Sequence, residues 1–267
     1  MLTVCGSTDI GRQRPQNQDT FVIADLESGV TSRPCIRTDV SVCRPGLLLL
    51  VCDGMGGAAA GDVAAKVAAL SIQHDLEIAP DVVRAPGPSL EHALAGANQA
   101  IIAEAKIHPE EHGMGTTCTA AILSPDRLTI AQVGDSRAYM LRDGTLRALT
   151  RDQNLAVELA GKGELTSEQI ALSPFRHILV QALGTKPQVQ PVETDVELRE
   201  NDRLLLCSDG LHGSVSDESI AEILGGTSNP SLAAQALIAA ALSAGGPDNV
   251  TVVVANCGPL RRMTTLH

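Results

Sequence analysis

The run Leu47-Leu48-Leu49-Leu50-Val51-Cys52 constrains this chain more than any other stretch. Consecutive apolar residues with no polar alternation read as a strand buried on both faces. The run stops at Asp53-Gly54, and the glycines and alanines after it read as a turn into a helix. A carboxylate at the end of such a strand either closes an ordinary turn or is presented to a ligand. Any fold that holds this strand must cover it on two sides and still bring Asp53 to a place where charge is tolerated.

The covering layers must be built from Leu, Val, Ile and Ala. Trp is absent, and Phe21, Phe175 and Tyr139 are the only aromatic residues in 267. That scarcity removes the stacking platforms that single-stranded nucleic acid needs. A formal net charge of −11 argues against a nucleic-acid or anionic-membrane surface, while leaving room for a local acidic cluster that binds cations. No basic-then-apolar leader is visible and the longest apolar run is too short to cross a bilayer, so a cytoplasmic protein is expected, with a monomer as the default. Seven cysteines without a C-x-x-C pair argue against a disulfide framework or a zinc site. Cys52 and Cys207, each in an apolar run just before an aspartate, read as small buried hydrophobes.

Along the chain, Phe21–Ile23 reads as a strand and Glu27–Pro45 as a polar loop. Val63, Val67 and Leu70 recur at helical spacing, as do Leu90, Leu94, Ala97 and Ile101 after a possible N-cap at Ser89. From Thr116 to Thr150 the period changes to two, and Asp143-Gly144 signals a hairpin. Arg151–Arg176 is polar, with short helical pieces at most. Strands are expected at Val189–Leu198, Arg203–Cys207 and Val250–Val254, with helices around Asp217–Leu224 and Ser231–Ser243. Runs of strands with helices in pairs favour an α+β fold of antiparallel sheets in a single domain, residues 1–267.

Four further aspartates share the setting of Asp53. Asp19 precedes a strand in "RPQNQD", Asp135 follows one in "AQVGDSRAY", Asp209 follows one in "LLLCSDGL", and Asp248 precedes one in "GGPDNVTVVV". One Asp-Gly alone is usually a plain turn. Recurrence at strand ends is different: carboxylates that converge repel one another unless a cation joins them. Oxygen donors without Cys or His partners suit Mg²⁺ or Mn²⁺, and a pair of such ions can clamp a phosphoryl group and organise a water. Arg14, with Arg12 as a competitor on chemistry alone, offers a fork for phosphate oxygens.

Taken together, "GRQRPQNQD", "VCDGMGGAAAG", "MGTTCTAAIL", "VGDSRAYMLRDG", "LTRDQN", "ILVQALG", "LLLCSDGL" and "GGPDNVTVVV" resemble the type-2C (PPM) metal-dependent protein serine/threonine phosphatases in their bacterial form. The motifs occur in the family's order over nearly the whole chain. The resemblance implies an αββα sandwich, two stacked antiparallel β-sheets flanked by paired helices. It implies hydrolysis of phosphoserine and phosphothreonine on protein substrates of a serine/threonine kinase, by a water activated between two Mn²⁺ or Mg²⁺ ions with a possible third. Asp53 would bridge the metals, the Gly54 carbonyl would bind the second, and Asp209 and Asp248 would complete the first. Asp135 with Asp209 would hold the third ion, Asp19 would hold metal-bound water, and Arg14 would grip the phosphate. Residues 151–177 would form a flap beside the site.

Several positions depart from the family pattern. Gln18 stands where Glu is frequent; its amide can still accept a hydrogen bond from metal-bound water, with weaker metal retention expected. Gln153 replaces a histidine near the flap, and Glu27–Pro45 is longer than in the most compact members. Met55 occupies the place of a histidine that serves some members as general acid. His212 reads as a surface turn histidine, and His177 suggests no role. Two other readings compete: a catalytically dead phosphoprotein-binding relative, which should have lost metal carboxylates, and another two-metal hydrolase such as a nuclease or small-molecule phosphatase.

Overall fold

Leu47–Met55 is the central strand of one of two sheets, and its two faces see different partners. The structure, a computed structural model, describes residues 2–26, 30–32, 37–42, 46–56, 60–108, 112–124 and 126–258. In chain order they form β1 (Leu2–Asp9), β2 (Asp19–Asp25), β3 (Val30–Ser32), β4 (Arg37–Val42), β5 (Leu47–Met55), α1 (Ala60–Ile78) and α2 (Pro86–Ile107). Then come β6 (Gly115–Thr116), β7 (Cys118–Leu123), β8 (Arg127–Val133), β9 (Arg137–Arg142) and β10 (Thr145–Ala148). Two short helices, α3 (Leu155–Gly161) and α4 (Ser167–Leu172), and a 3₁₀ turn at Pro174–His177 follow. The chain continues with β11 (Val192–Glu197), β12 (Arg203–Cys207), α5 (Asp209–His212), α6 (Asp217–Gly226), α7 (Pro230–Ser243) and β13 (Val250–Cys257).

One sheet runs β10-β9-β12-β13-β1-β4 and the other β11-β8-β7-β5-β2-β3, with β6 paired to β5. Every pairing among these strands is antiparallel. The sheets stack face to face, α1 and α2 cover the outer face of the β5 sheet, and α6 and α7 cover the other. This is the αββα sandwich.

Side-chain alternation explains why β5 is apolar on both faces. Leu48, Leu50 and Cys52 pack into the core shared with α1 and α2. Leu47, Leu49 and Val51 pack between the sheets against Phe21, Ile23, Leu206 and Val253. Each such side chain withdrawn from water contributes roughly 1.5–3 kcal/mol. The same period carries Asp53 to the inter-sheet side, at the end of the apolar layer. On β2, Asp19 lies two residues before Phe21 and directly opposite Asp53. Beyond Asp53 the backbone crosses the start of α1 so closely that a Cβ on Gly54 would sit 2.1 Å from the Gly61 carbonyl oxygen. Gly56 then turns the chain with φ +111; Gly57 lies outside the described residues.

Two expectations need correction. Glu27–Pro45 is not only a loop: β3 extends one sheet at its edge and β4 extends the other at its edge. Residues 27–29, 33–36 and 43–45 lie outside the described residues. Edge strands need no doubly apolar pattern, so the polar sequence concealed them. Ser89 is not an N-cap either. α2 begins at Pro86 with Ala85 before it, and the Ser89 hydroxyl donates to the Ala85 carbonyl (2.9 Å) from inside the helix. Proline in the first turn has no N–H to leave unsatisfied, which places the start there.

Because Leu49 is fully buried between the sheets, Leu49→Ala is expected to cost about 2–5 kcal/mol in urea denaturation. A cost below about 1 kcal/mol would contradict this packing.

Candidate metal centre

The sandwich gathers at one end the aspartates that sequence spreads over more than two hundred positions. Asp19 opens β2, Asp53 nears the end of β5, Asp135 lies in the turn between β8 and β9, Asp209 opens α5, and Asp248 precedes β13. Asp53, Asp135, Asp209 and Asp248 line a single cavity of about 720 Å³ together with Arg14, Gln18 and Gly54. Asp19 is 7% exposed and faces Asp53 across the strand pair.

Their electrostatics follow from this crowding. Burial is the main cause that pushes the Asp53 carboxyl far above the usual carboxylate range, followed by the charges of Asp19, Asp209, Asp135 and Asp248. Burial, then Asp209 and Asp152, does the same to Asp135. Asp209 is raised by burial and by Asp248, and it lies within hydrogen-bonding reach of Asp53. Asp19 is pushed up to about 7, chiefly by burial, although Ser208 Oγ donates to its Oδ2 at 2.7 Å. Two carboxyls in such contact need either a shared proton or a cation between them.

Two oxygens stand out. Asp19 Oδ1 and Asp209 Oδ1 are buried and have no hydrogen-bond partner. A buried carboxylate oxygen left without a partner is rare and costly, and here both lie in a cluster of like charge. Among the described residues, no three acidic, thiol or imidazole side chains converge closely enough to hold one ion unaided. Asp248 instead meets Arg14, whose Nη2 donates to its Oδ2 at 2.6 Å. The donor set still fits hard divalent cations. It is all oxygen, it carries orphaned acceptors, and ions of this type keep several waters of their own.

Arg14 and Arg12 part company in the fold. Arg12 Nε donates to the Leu242 carbonyl (3.0 Å) at the end of α7, whereas Arg14 lines the cavity with its side chain 53% exposed. The loop that carries Arg14 is fastened by Asn249, which the sequence reading overlooked. Its Nδ2 donates to the Ile10 and Gln16 carbonyls (2.8 and 3.0 Å), and its Oδ1 accepts from the Gln18 amide (2.8 Å). The Gln18 carbonyl in turn accepts from Gly54 N–H at 3.2 Å. Asn249 thus spans the Arg14 loop beside the strand that follows Asp248.

Asp53 is held through its backbone. Its N–H donates to Thr117 Oγ1 (3.1 Å), and its carbonyl accepts from Thr117 N–H (2.9 Å) and Thr116 Oγ1 (2.8 Å). Thr117 Oγ1 also meets Ser136 Oγ at 2.7 Å, which links the site of Asp53 to the turn of Asp135. His212 is not a surface turn histidine. Its ring Nε2 meets the Asp135 carbonyl oxygen (3.1 Å), and burial, then the nearby Arg137 charge, pushes it down to about 4. It is therefore neutral and donates this bond.

Where a histidine was missing beside the flap, Gln153 ties its own segment to the end of β8 and to the Gln181 side chain. Its Oε1 accepts from Gly134 N–H (2.7 Å) and Gln181 Nε2 (2.8 Å), and its Nε2 donates to the Gln132 carbonyl (3.2 Å). Asp152 next to it takes Arg137 bidentately at 2.6 and 2.8 Å. The segment beyond folds as α3, α4 and the 3₁₀ turn, and brings Arg176 and His177 to the cavity. His177, given no role by the sequence reading, lines the cavity, and its Nε2 accepts from Arg176 Nε at 2.9 Å. Met55, also at the cavity, is 38% exposed.

A two-sheet sandwich with acidic strand ends and Arg14 beside them at the cavity is the architecture expected of metal-dependent phosphatases. Residues 38–243 match the family described as Protein phosphatase 2C, and this chain belongs to that family. It is 37% identical over 249 residues to the serine/threonine phosphatase stp of Listeria welshimeri, covering 92% of each protein. It is 44% identical over 220 residues to the serine/threonine protein phosphatase PstP of Mycobacterium tuberculosis, covering 81% of this chain and 41% of that protein. The chain thus spans less than half the length of PstP. The crystal structure of the PstP catalytic domain, in complex with two manganese ions, superposes with a TM-score of 0.78 at 36% identity, covering 97% of this chain and all of that one.

The metal-free protein should report the crowding directly. Asp19 keeps in the fold, up to about pH 7, a proton that the unfolded chain releases near pH 4. The folded state therefore binds more protons over that window, and stability falls as pH rises from about 4 to about 7. In chelator, Asp53→Asn is expected to raise the melting temperature at pH 8 more than at pH 4, and to abolish the further rise that Mn²⁺ gives the unaltered chain. An unchanged or lowered melting temperature at pH 8 would contradict a repulsive cluster.

Proposed function

We propose that this chain removes phosphate from phosphoserine and phosphothreonine on proteins, reversing serine/threonine kinases, with Asp53, Gly54, Asp209, Asp248 and Asp135 holding two or three Mn²⁺ or Mg²⁺ ions. The observation that carries the reading is the cavity in which four aspartates face Arg14, with unpartnered buried oxygens on Asp209 and on Asp19 beside it. Divalent cations bound there supply the positive charge that activates water and offsets the developing charge on a phosphoryl group.

The protein's own groups do the positioning. Asp53 is immobilised by the β5 core and by three hydrogen bonds to its backbone, so little reorganisation accompanies binding. Arg14 presents a planar guanidinium that can leave Asp248 for the phosphate oxygens, while Asp248 becomes free to act as a ligand. Asp19 Oδ1, left without a partner, would accept a hydrogen bond from the attacking water, and Ser208 fixes its other oxygen. Gln18 lines the same cavity and assists Asp19 as a neutral acceptor. Met55 has no proton to give, so the leaving alkoxide takes its proton from water.

No helix among the described residues is long and apolar enough to cross a membrane. The reading includes a signalling role for one catalytic domain acting as a cytosolic monomer on phosphoproteins, without nucleic acid. Its cytosolic part is supported by the five described cysteines, all buried and free.

With Mn²⁺, the protein is expected to hydrolyse p-nitrophenyl phosphate and a phosphothreonine peptide, and EDTA should abolish both activities. Arg14→Ala is expected to lower kcat/KM on the peptide by about a hundredfold or more. Full activity in Asp53→Asn and Asp209→Asn, or a preference for phosphotyrosine, would overturn the reading.

A further inference from the structure

Cys52 and Cys118 face each other one step along their strands from Asp53 and Thr117. β5 pairs with β7 up to Val51↔Thr119 and with β6 from Gly54↔Thr116, in the same register. One step inward from the first pair sets Cys52 opposite Cys118. Thr117 N–H donates to the Asp53 carbonyl at 2.9 Å while Asp53 N–H turns to Thr117 Oγ1, so this pair keeps one of its two ladder bonds. Cys52 and Cys118 lie at the adjacent step, where a regular antiparallel pair brings Cα atoms to about 4.5 Å and side chains closest, and their thiols are within hydrogen-bonding reach. A disulfide spans Cα separations of about 4.4–6.8 Å. Both thiols sit on the helix-facing side of the sheet, in one cluster, fully buried. Burial, and a hydrogen bond with Cys52, hold the Cys118 thiol high, and both cysteines are free thiols in this structure.

The neighbours of this pair are the groups that hold Asp53. Thr117 binds its N–H and carbonyl, and Thr117 Oγ1 reaches Ser136 beside Asp135. A bond drawn across the closest approach of two strands alters their local twist, and the residues next in line are Asp53 and Thr117.

We propose that Cys52 and Cys118 form a dithiol that hydrogen peroxide converts to a disulfide, and that this bond weakens metal binding at the cavity. One sulfur attacks a peroxide oxygen, breaking the O–O bond and giving a sulfenic acid and one water. The second sulfur displaces the hydroxyl as another water, so two thiols and one peroxide become one disulfide and two waters. The oxidant is named by size and charge: hydrogen peroxide is small and uncharged, as access to a fully buried pair in the core shared with α1 requires. The effect on metal rests on the phosphatase reading; the disulfide itself does not.

The test treats the full chain with hydrogen peroxide in EDTA, removes both, and maps peptides by mass spectrometry without reduction. Mn²⁺ alone is then titrated calorimetrically into the reduced and oxidised protein. A Cys52–Cys118 linked peptide, and Mn²⁺ bound about tenfold more weakly until a thiol reductant restores it, are expected. Cys118→Ala and Cys52→Ala should each keep the reduced-state affinity and lose the peroxide effect. If one variant fails to fold, the other and the unaltered chain still decide the matter. Absence of the linked peptide, or a linked peptide with unchanged Mn²⁺ affinity, would overturn the proposal. A reduced chain that binds no Mn²⁺ would overturn the metal centre itself, whatever the peptide map shows.

Discussion

Everything at the cavity depends on one repulsion. Asp19 and Asp53 stand directly opposite on adjacent strands, and Asp209, Asp135 and Asp248 act on Asp53 from other elements. Two like charges about 4 Å apart repel by roughly 4 kcal/mol at the effective dielectric of a protein surface. A few such contacts rival the whole stability of a domain, about 5–15 kcal/mol. The cluster therefore persists only if protons or cations neutralise it. Protons do so in the metal-free state, which is why burial and mutual repulsion raise these carboxyls. Divalent cations do so with more charge per site, and the two orphaned oxygens on Asp19 and Asp209 are acceptors left for them.

The sandwich is what makes such a cluster tolerable. Leu47, Leu49 and Val51 bind β5 to the second sheet, while Leu48, Leu50 and Cys52 bind it to the helices. Asp53 cannot retreat from its neighbours without dragging a fully buried strand with it. The Arg14 loop is tied to the far end of the chain by the Asn249 amide and by the Arg14–Asp248 ion pair. In the absence of cations that ion pair gives Asp248 a temporary partner. It also keeps the guanidinium at the cavity, where a phosphate would need it.

Much of this was legible in the sequence, for a physical reason. β5 announces itself because a strand covered on both faces cannot alternate, and the Asp-Gly after it marks where cover ends. The helix pairs were visible through apolar periodicity. β3 and β4 were hidden because edge strands carry polar residues and need only one good face. Ser89 misled because a serine before an apolar repeat imitates a cap, while Pro86 three residues earlier was the true start. The aspartates could be nominated one by one, but their meeting is a property of sheet order that no local pattern contains. Asn249 and Ser208 escaped notice for the same reason: each acts on partners far away in sequence. His212 was misread because its partner, the Asp135 carbonyl, lies 77 positions away.

The central claim is that cations, not protons, complete this cavity in the working protein. Diffraction from crystals grown with Mn²⁺, recorded on both sides of the manganese absorption edge, tests it most directly. Two strong anomalous peaks on either side of the Asp53 carboxylate are predicted, one against Asp209 and Asp248 and the other against the Gly54 carbonyl. Arg14 should be released from Asp248. A cavity without anomalous peaks at saturating Mn²⁺, with the Arg14–Asp248 pair intact, would contradict it.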